Sequence, residues 1–201
     1  MISEAPRRTR MTPAARRAQL LDTAKSMIQG QGLQPFTMEA LAREASVSSP
    51  LVYNYFPSRL GLLRELLERE HSTMSSEISA SLRDAESFES IVRVFVEANF
   101  DHHAPGSVLP ILLSQPEVAE VVRVRQKKDD RKAGRLLVRS IAKRYALERS
   151  QAELLISMSS GASIAAAGYG ARAGASRKST VDAAMQFIFD GIRSFIDEKS
   201  R

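Results

Sequence analysis

The sequence contains no cysteine. Disulfides, thiolate metal ligands and a cysteine nucleophile are therefore excluded, and the composition suits a reducing compartment. Histidine is scarce too, with only His71, His102 and His103. No carboxylate or third histidine stands at ligand spacing from the His102-His103 pair, so no metal site is expected. The chain lacks G-x-S-x-G, P-loop and H-E-x-x-H patterns. With no obvious carboxylate partner for a histidine, acid–base catalysis is not expected, nor is a cofactor. The opening MISEAPRRTRMTPAARR has no apolar segment, so a secretory signal is not expected. Uncharged runs are also missing, apart from residues 154–171, LLISMSSGASIAAAGYGA. That length could cross a bilayer. Its four serines and three glycines instead point to a buried helix of a soluble protein. There is no Asn-Gly or Asp-Gly hairpin signal, no strand-length alternation and no fixed-period repeat.

Helical period fills almost every segment. Thr12-Pro13 opens the first helix as N-cap and first-turn proline, and Gly30 and Gly32 close it. Thr37 caps a second helix whose inward residues are Met38, Leu41, Ala42 and Ala45. Ser46-Val47-Ser48 makes a short turn, and a third helix covers Ser49 to Tyr55. Pro57-Ser58 breaks the chain. A long helix follows from Arg59 into the 80s, with Leu63, Leu67, His71, Met74, Ile78 and Leu82 on one face. Further helices are expected from Ser87 to Asp101, Leu109 to Leu113, Glu117 to Tyr145, Glu148 to Ala173 and Ser179 to Glu198. His102 to Ser107 reads as a loop. The expected fold is all-α, with about nine helices. A basic disordered arm covers 1–11, a helix-turn-helix domain 12–58, and a helical ligand-binding and dimerisation bundle 59–201.

Charge is unevenly spread over the 201 residues. The net charge is +6, and residues 1–59 hold eight Lys or Arg against four acids. A basic end on a near-neutral body fits a polyanion partner or a solubilising tail. The segment 37–56, TMEALAREASVSSPLVYNYF, is more specific. A two-turn helix, a tight turn and a second short helix are the arrangement that lays one helix in a major groove. Leu41, Ala45, Val47, Val52 and Phe56 take inner positions. Ser48, Ser49, Pro50, Leu51, Tyr53 and Asn54 take outer ones, so Leu51 and Tyr53 are expected to be exposed.

Thr37, Val47-Ser48, Tyr53-Asn54-Tyr55-Phe56 and Arg59 stand at the spacing of the tetracycline-repressor-like (TetR) family, which residues 12–68 resemble. The resemblance implies a DNA-binding transcription regulator. It places Thr37, Tyr53 and Arg59 on phosphates, which set register without reading bases. It turns Ser48, Ser49, Pro50, Leu51 and Asn54 toward base edges, with Leu51 against a thymine methyl and Asn54 on adenine. Arg7, Arg8 and Arg10 would run along the backbone or in the minor groove. Two departures stand out: Pro50-Leu51 replaces a polar or Gly-Thr pair, and Pro57 replaces a common Lys, removing one phosphate contact.

In that family the C-terminal bundle dimerises and often encloses a small molecule. Small residues on the helix 148–173 allow close helix approach. The last helix is apolar on more than one side: Val181, Ala184, Met185, Ile188, Ile192, Phe195 and Ile196 share a face, and Phe187 and Phe189 lie off it. Its own bundle can cover one side and a twin subunit the other. A homodimer on a palindromic operator in double-stranded DNA is expected, dimerising through the last two helices, in the cytoplasm and with no membrane partner. Phe95, Asn99 and His103 are the candidate ligand contacts. Asn99 and His71 sit on otherwise apolar stripes, where internal hydrogen-bond partners are the preferred reading. Arg123, Arg125, Lys127, Lys128, Arg131, Lys132 and Arg135 read as a solvated face. The leading function is a repressor released from its operator by a small-molecule effector. The alternative is a DNA-binding dimer whose bundle binds no ligand and serves only dimerisation or a protein partner.

Overall fold

The computed structural model of the chain describes residues 11–104 and 106–199. Side chains at 121–134, 136, 171 and 198–199 lie outside that description, as do Arg7, Arg8 and Arg10 of the arm. Of the basic run predicted as a solvated face, only Arg135 is described, and it is exposed. Nine α-helices and a short 3₁₀ turn, with no strand, make up the described residues. They are α1 (Pro13–Gln31), α2 (Met38–Glu44), α3 (Ser49–Tyr55), α4 (Arg59–Ser81), α5 (Phe88–His103), α6 (Val108–Leu113), α7 (Pro116–Tyr145), α8 (Arg149–Arg172) and α9 (Arg177–Lys199). The 3₁₀ turn, Leu82–Asp84, follows α4 and takes Leu82 off the helical face expected to include it. No helix among the described residues is long and apolar enough to cross a membrane.

The chain divides into two compact units after Leu62, a few residues beyond the break expected at Ser58. In the first unit, local capping sets the helix boundaries. The Ala15 amide donates to Thr12 Oγ1 at 3.2 Å, with Pro13 at the first helical position. The Ala40 amide donates to Thr37 Oγ1 at 3.0 Å and starts α2. α1 buries Leu20, Leu21, Ala24, Met27 and Ile28, and α2 buries Met38, Leu41 and Ala42. Ser46, in the turn between α2 and α3, has φ of 53°, a left-handed backbone that a β-carbon disfavours. That residue reverses the chain so that Val52 and Phe56 come inward, fully shielded from solvent. Truncating a side chain such as Phe56 costs about 3–5 kcal/mol.

In the second unit α8 packs on α5, α7 and α9, and α5 packs on α9. The core joins Val92 and Val96 of α5, Leu137 and Ile141 of α7, Ala152 and Leu155 of α8, and Val181, Met185, Ile188 and Ile192 of α9. Gly170 lets α8 approach α9 closely: a β-carbon there would lie 2.6 Å from Thr180 Oγ1. Arg177 ties the start of α9 to α5 through two bonds to Asp101, of 2.7 and 2.6 Å.

Two sequence expectations are corrected here. The segment 102–107 is not all loop: α5 continues through His103, because the Ala104 amide still reaches the Phe100 carbonyl at 3.1 Å. The run 154–171 is not a fully buried helix. Leu154, Met158 and Tyr169 are more than half exposed, since the chain's own helices cover only one side of α8. Phe187 on α9 is 70% exposed.

Candidate nucleic-acid interface and a cavity in the second unit

α2 and α3 form a helix-turn-helix. α3 is fixed from behind. Val52 and Phe56 are buried, and Arg17 of α1 donates to the Tyr55 carbonyl at 2.9 Å while its guanidinium lies 4.5 Å from the centre of the Phe56 ring. The opposite face carries Ser48, Pro50, Tyr53 and Asn54, all exposed. Ser49 and Leu51 are half-buried. Leu51 was expected to be exposed; its position beside the buried Val52 draws part of it into the unit.

Tyr53 meets an anion that sequence reasoning did not single out. The Tyr53 hydroxyl donates to Glu39 Oε1 at 3.0 Å. The Glu39 carboxyl is held below its ordinary pKa, first by its own backbone N–H and then by Tyr53, with smaller help from Thr37 and Arg43. Conversely, the bond to Glu39 raises the Tyr53 phenol. The Tyr53 hydroxyl, predicted to hold a phosphate, is thus engaged with a carboxylate of the same chain, while the Thr37 hydroxyl accepts the Ala40 amide. The signal available in the sequence was the acid two residues beyond the Thr37 cap, which reads equally well as an ordinary first-turn helix acid.

Arg59 is also engaged within the chain. Its Nε donates to the Phe36 carbonyl at 2.9 Å and its Nη2 to the Leu33 carbonyl at 3.0 Å, with the guanidinium 5.8 Å from the Phe36 ring centre. This fork fastens the start of α4 to the loop between α1 and α2. The guanidinium has five N–H groups, and these bonds use two of them.

The second unit holds a cavity of about 630 Å³ walled by α4, α5, α8 and α9, among others. Phe95, Asn99 and His103 all line it, as do His71, Met74 and Ser163. Asn99 Nδ2 donates to Ser163 Oγ at 2.7 Å, and that hydroxyl donates to the Ser160 carbonyl at 2.9 Å. Asn99 therefore has an internal partner and also faces the cavity. Burial lowers the His103 pKa, with His102 and His71 adding to this and the nearby Asn99 carbonyl opposing it. His103 Nδ1 is buried without a well-formed hydrogen bond. His102 is drawn elsewhere, with Nε2 2.6 Å from Glu77 Oε2. No group of three potential metal ligands occurs among the described residues. The serines of α8 that face this space were read only as small residues permitting close helix packing. Their register against Asn99 depends on packing between α5 and α8.

The first unit is a helix-turn-helix with a seven-residue helix presented outward, and the second unit is a helical bundle with a cavity. Residues 20–66 match the family of bacterial regulatory proteins called tetR. Among curated relatives, a nucleoid occlusion factor, SlmA, from Haemophilus influenzae is 35% identical over 82 residues, which is 40% of this chain and 38% of that protein. The transcriptional activator FasR from Mycolicibacterium smegmatis is 32% identical over 124 residues, 59% of this chain and 57% of that protein. The chain thus spans about two-fifths to three-fifths of these relatives. The fold of a TetR-like regulator from Rhodococcus sp. RHA1 superposes with a TM-score of 0.70 at 22% identity, covering 92% of this chain and 99% of that one. LfrR from Mycobacterium smegmatis, in complex with proflavine, gives 0.61 at 22% identity, covering 87% and 95%.

Proposed function

We propose that the chain is a sequence-specific DNA-binding regulator of transcription, acting in the cytoplasm as a homodimer on a palindromic operator. The observation that carries this reading is the outward face of α3, with Ser48, Pro50, Tyr53 and Asn54 exposed on a helix locked from behind by Val52, Phe56 and Arg17. Thr37, Tyr53 and Arg59 would hold phosphates. Ser48, Ser49, Pro50, Leu51 and Asn54 would face base edges. Tyr53 can turn to a phosphate only by leaving Glu39, so DNA competes with an internal anion.

The exposed Leu154, Met158, Tyr169 and Phe187 support dimerisation through α8 and α9. So does a shallow groove beside Phe187, floored by Gly161, Ala162, Ala165 and Ala166. A two-fold pair presents two α3 helices to half-sites about 34 Å apart. The cavity supports an effector-released repressor over a bundle that serves dimerisation alone. An effector would favour a conformation in which the two α3 helices no longer match the half-sites, and only to the extent that it binds that state more tightly.

Gel-shift titrations on selected and scrambled duplexes test the DNA assignment. Tyr53→Ala is expected to weaken binding to all sequences alike, and Asn54→Ala to change sequence preference. Unchanged binding by both variants sinks the assignment.

A further inference from the structure

We infer that the cavity of the second unit takes an uncharged, mainly apolar ligand bearing one hydrogen-bond donor, which Asn99 Oδ1 accepts. The inference rests on the effector reading above and names the chemistry of that effector.

Polarity comes first. Among the described residues lining the cavity there is no lysine, arginine, aspartate or glutamate. Apolar side chains from six helices supply most of the wall, among them Met74, Phe95, Leu109, Leu137, Ile156 and Ile188. An ion entering such a space would lose its hydration with no fixed counter-charge to replace it, a cost far above that of burying a hydroxyl. The volume of about 630 Å³ lies within the range that encloses a drug-sized molecule.

Direction follows from a chain of hydrogen bonds. The single proton of Ser163 Oγ goes to the Ser160 carbonyl. Ser163, 2% exposed, can then meet Asn99 only as an acceptor, so the amide must present its NH₂. That fixes the amide orientation and leaves Oδ1 on the cavity wall, with no donor among the described residues. A ligand hydroxyl or N–H would complete it. His103 lines the same cavity one helical turn from Asn99. As burial holds this imidazole toward its neutral form, it supplies no fixed charge for an anion.

The test is calorimetric titration of the full chain with matched probes: 2-naphthol, 2-methoxynaphthalene, 2-naphthoate and naphthylmethylammonium, with decanol and decanoate as a flexible pair. The expected order is naphthol over methoxynaphthalene by about 10-fold, the worth of one good neutral hydrogen bond. Both charged partners should bind more weakly than their neutral counterparts. Asn99→Leu should reduce the naphthol preference to about 2-fold or less while methoxynaphthalene still binds, which shows the cavity intact. Asn99→Gln should restore part of the preference. Tighter binding of either charged class, no binding by any neutral probe, or an unchanged naphthol preference in Asn99→Leu overturns the inference. Adding the tightest probe to a gel shift separates the two readings. Binding in the expected order without release of DNA would reject the effector role and keep the ligand class. Release driven by naphthoate would do the reverse.

Discussion

Replacing Arg59 separates the proposed phosphate contact from a structural clamp. The guanidinium makes two charge-assisted bonds to the Phe36 and Leu33 carbonyls, of 2.9 and 3.0 Å, and lies near the Phe36 ring. A buried bond of this type contributes about 1.5–3 kcal/mol, but this side chain is exposed and the Leu33 bond lies in water. Discounted for that screening, the fork stabilises the first unit by about 1–2 kcal/mol. Arg59→Ala should lower the urea midpoint by that free energy, or the melting temperature by about 3–6 °C for a chain of this size. Arg59→Lys is the decisive variant. Lysine keeps the charge that a phosphate needs, but it cannot reach two carbonyls with a planar fork. The lysine variant should therefore recover most of the DNA affinity lost by alanine and little of the stability. If Arg59→Ala unfolds at the wild-type midpoint, the clamp is wrong. If lysine restores stability in full, the fork geometry carries nothing.

Three more outcomes follow from the same kind of reasoning. Glu39→Gln should tighten DNA binding by about 3-fold at low salt, with the gain shrinking as salt rises, because the variant removes an anion from the Tyr53 hydroxyl proposed to hold a phosphate; a gel-shift salt series showing weaker binding would reverse this reading. Gly170→Ala places a methyl against the Thr180 hydroxyl, and its cost should exceed the cost of the same change in a Thr180→Ala background by about 1–3 kcal/mol in a urea double-mutant cycle, so additive effects would refute the close approach. His103 has a lowered native pKa, so the unfolded chain binds the proton first; stability should fall as pH drops below about 6.5 through the lowered native value, with the two other histidines nearby, and His103→Phe should flatten that fall in melts from pH 7.5 to 5.

The amino-acid sequence was most legible where structure is local. Thr12-Pro13 and Thr37 act as helix starts through bonds to amides three residues on, and such contacts need no tertiary partner. The turn at Ser46 and the inward residues Val52 and Phe56 lie within a dozen positions of one another, so their spacing was enough to mark a helix-turn-helix. Leu51 shows the margin of error. Helical period places a residue on a rim to within a few tens of degrees, and neighbouring elements decide how far that rim is covered. The expected buried helix at 154–171 failed for a related reason. Composition shows that a segment is apolar, but not whether the same chain has enough surface to cover it.

By itself, then, the sequence determined the all-helical class, the order of the helices, the caps and the family resemblance of residues 12–68. Each of these is encoded by side-chain type at short, regular spacing. The tertiary structure alone decided what each polar group meets. It brought Tyr53 to Glu39, 14 positions apart, folded Arg59 back on Leu33 and Phe36, and set Asn99 beside Ser163, 64 positions away. A hydrogen bond requires two atoms within about 3 Å at a suitable angle. Periodicity fixes which face of a helix turns inward; only the packing of helices against one another fixes the distance and angle at which distant side chains arrive.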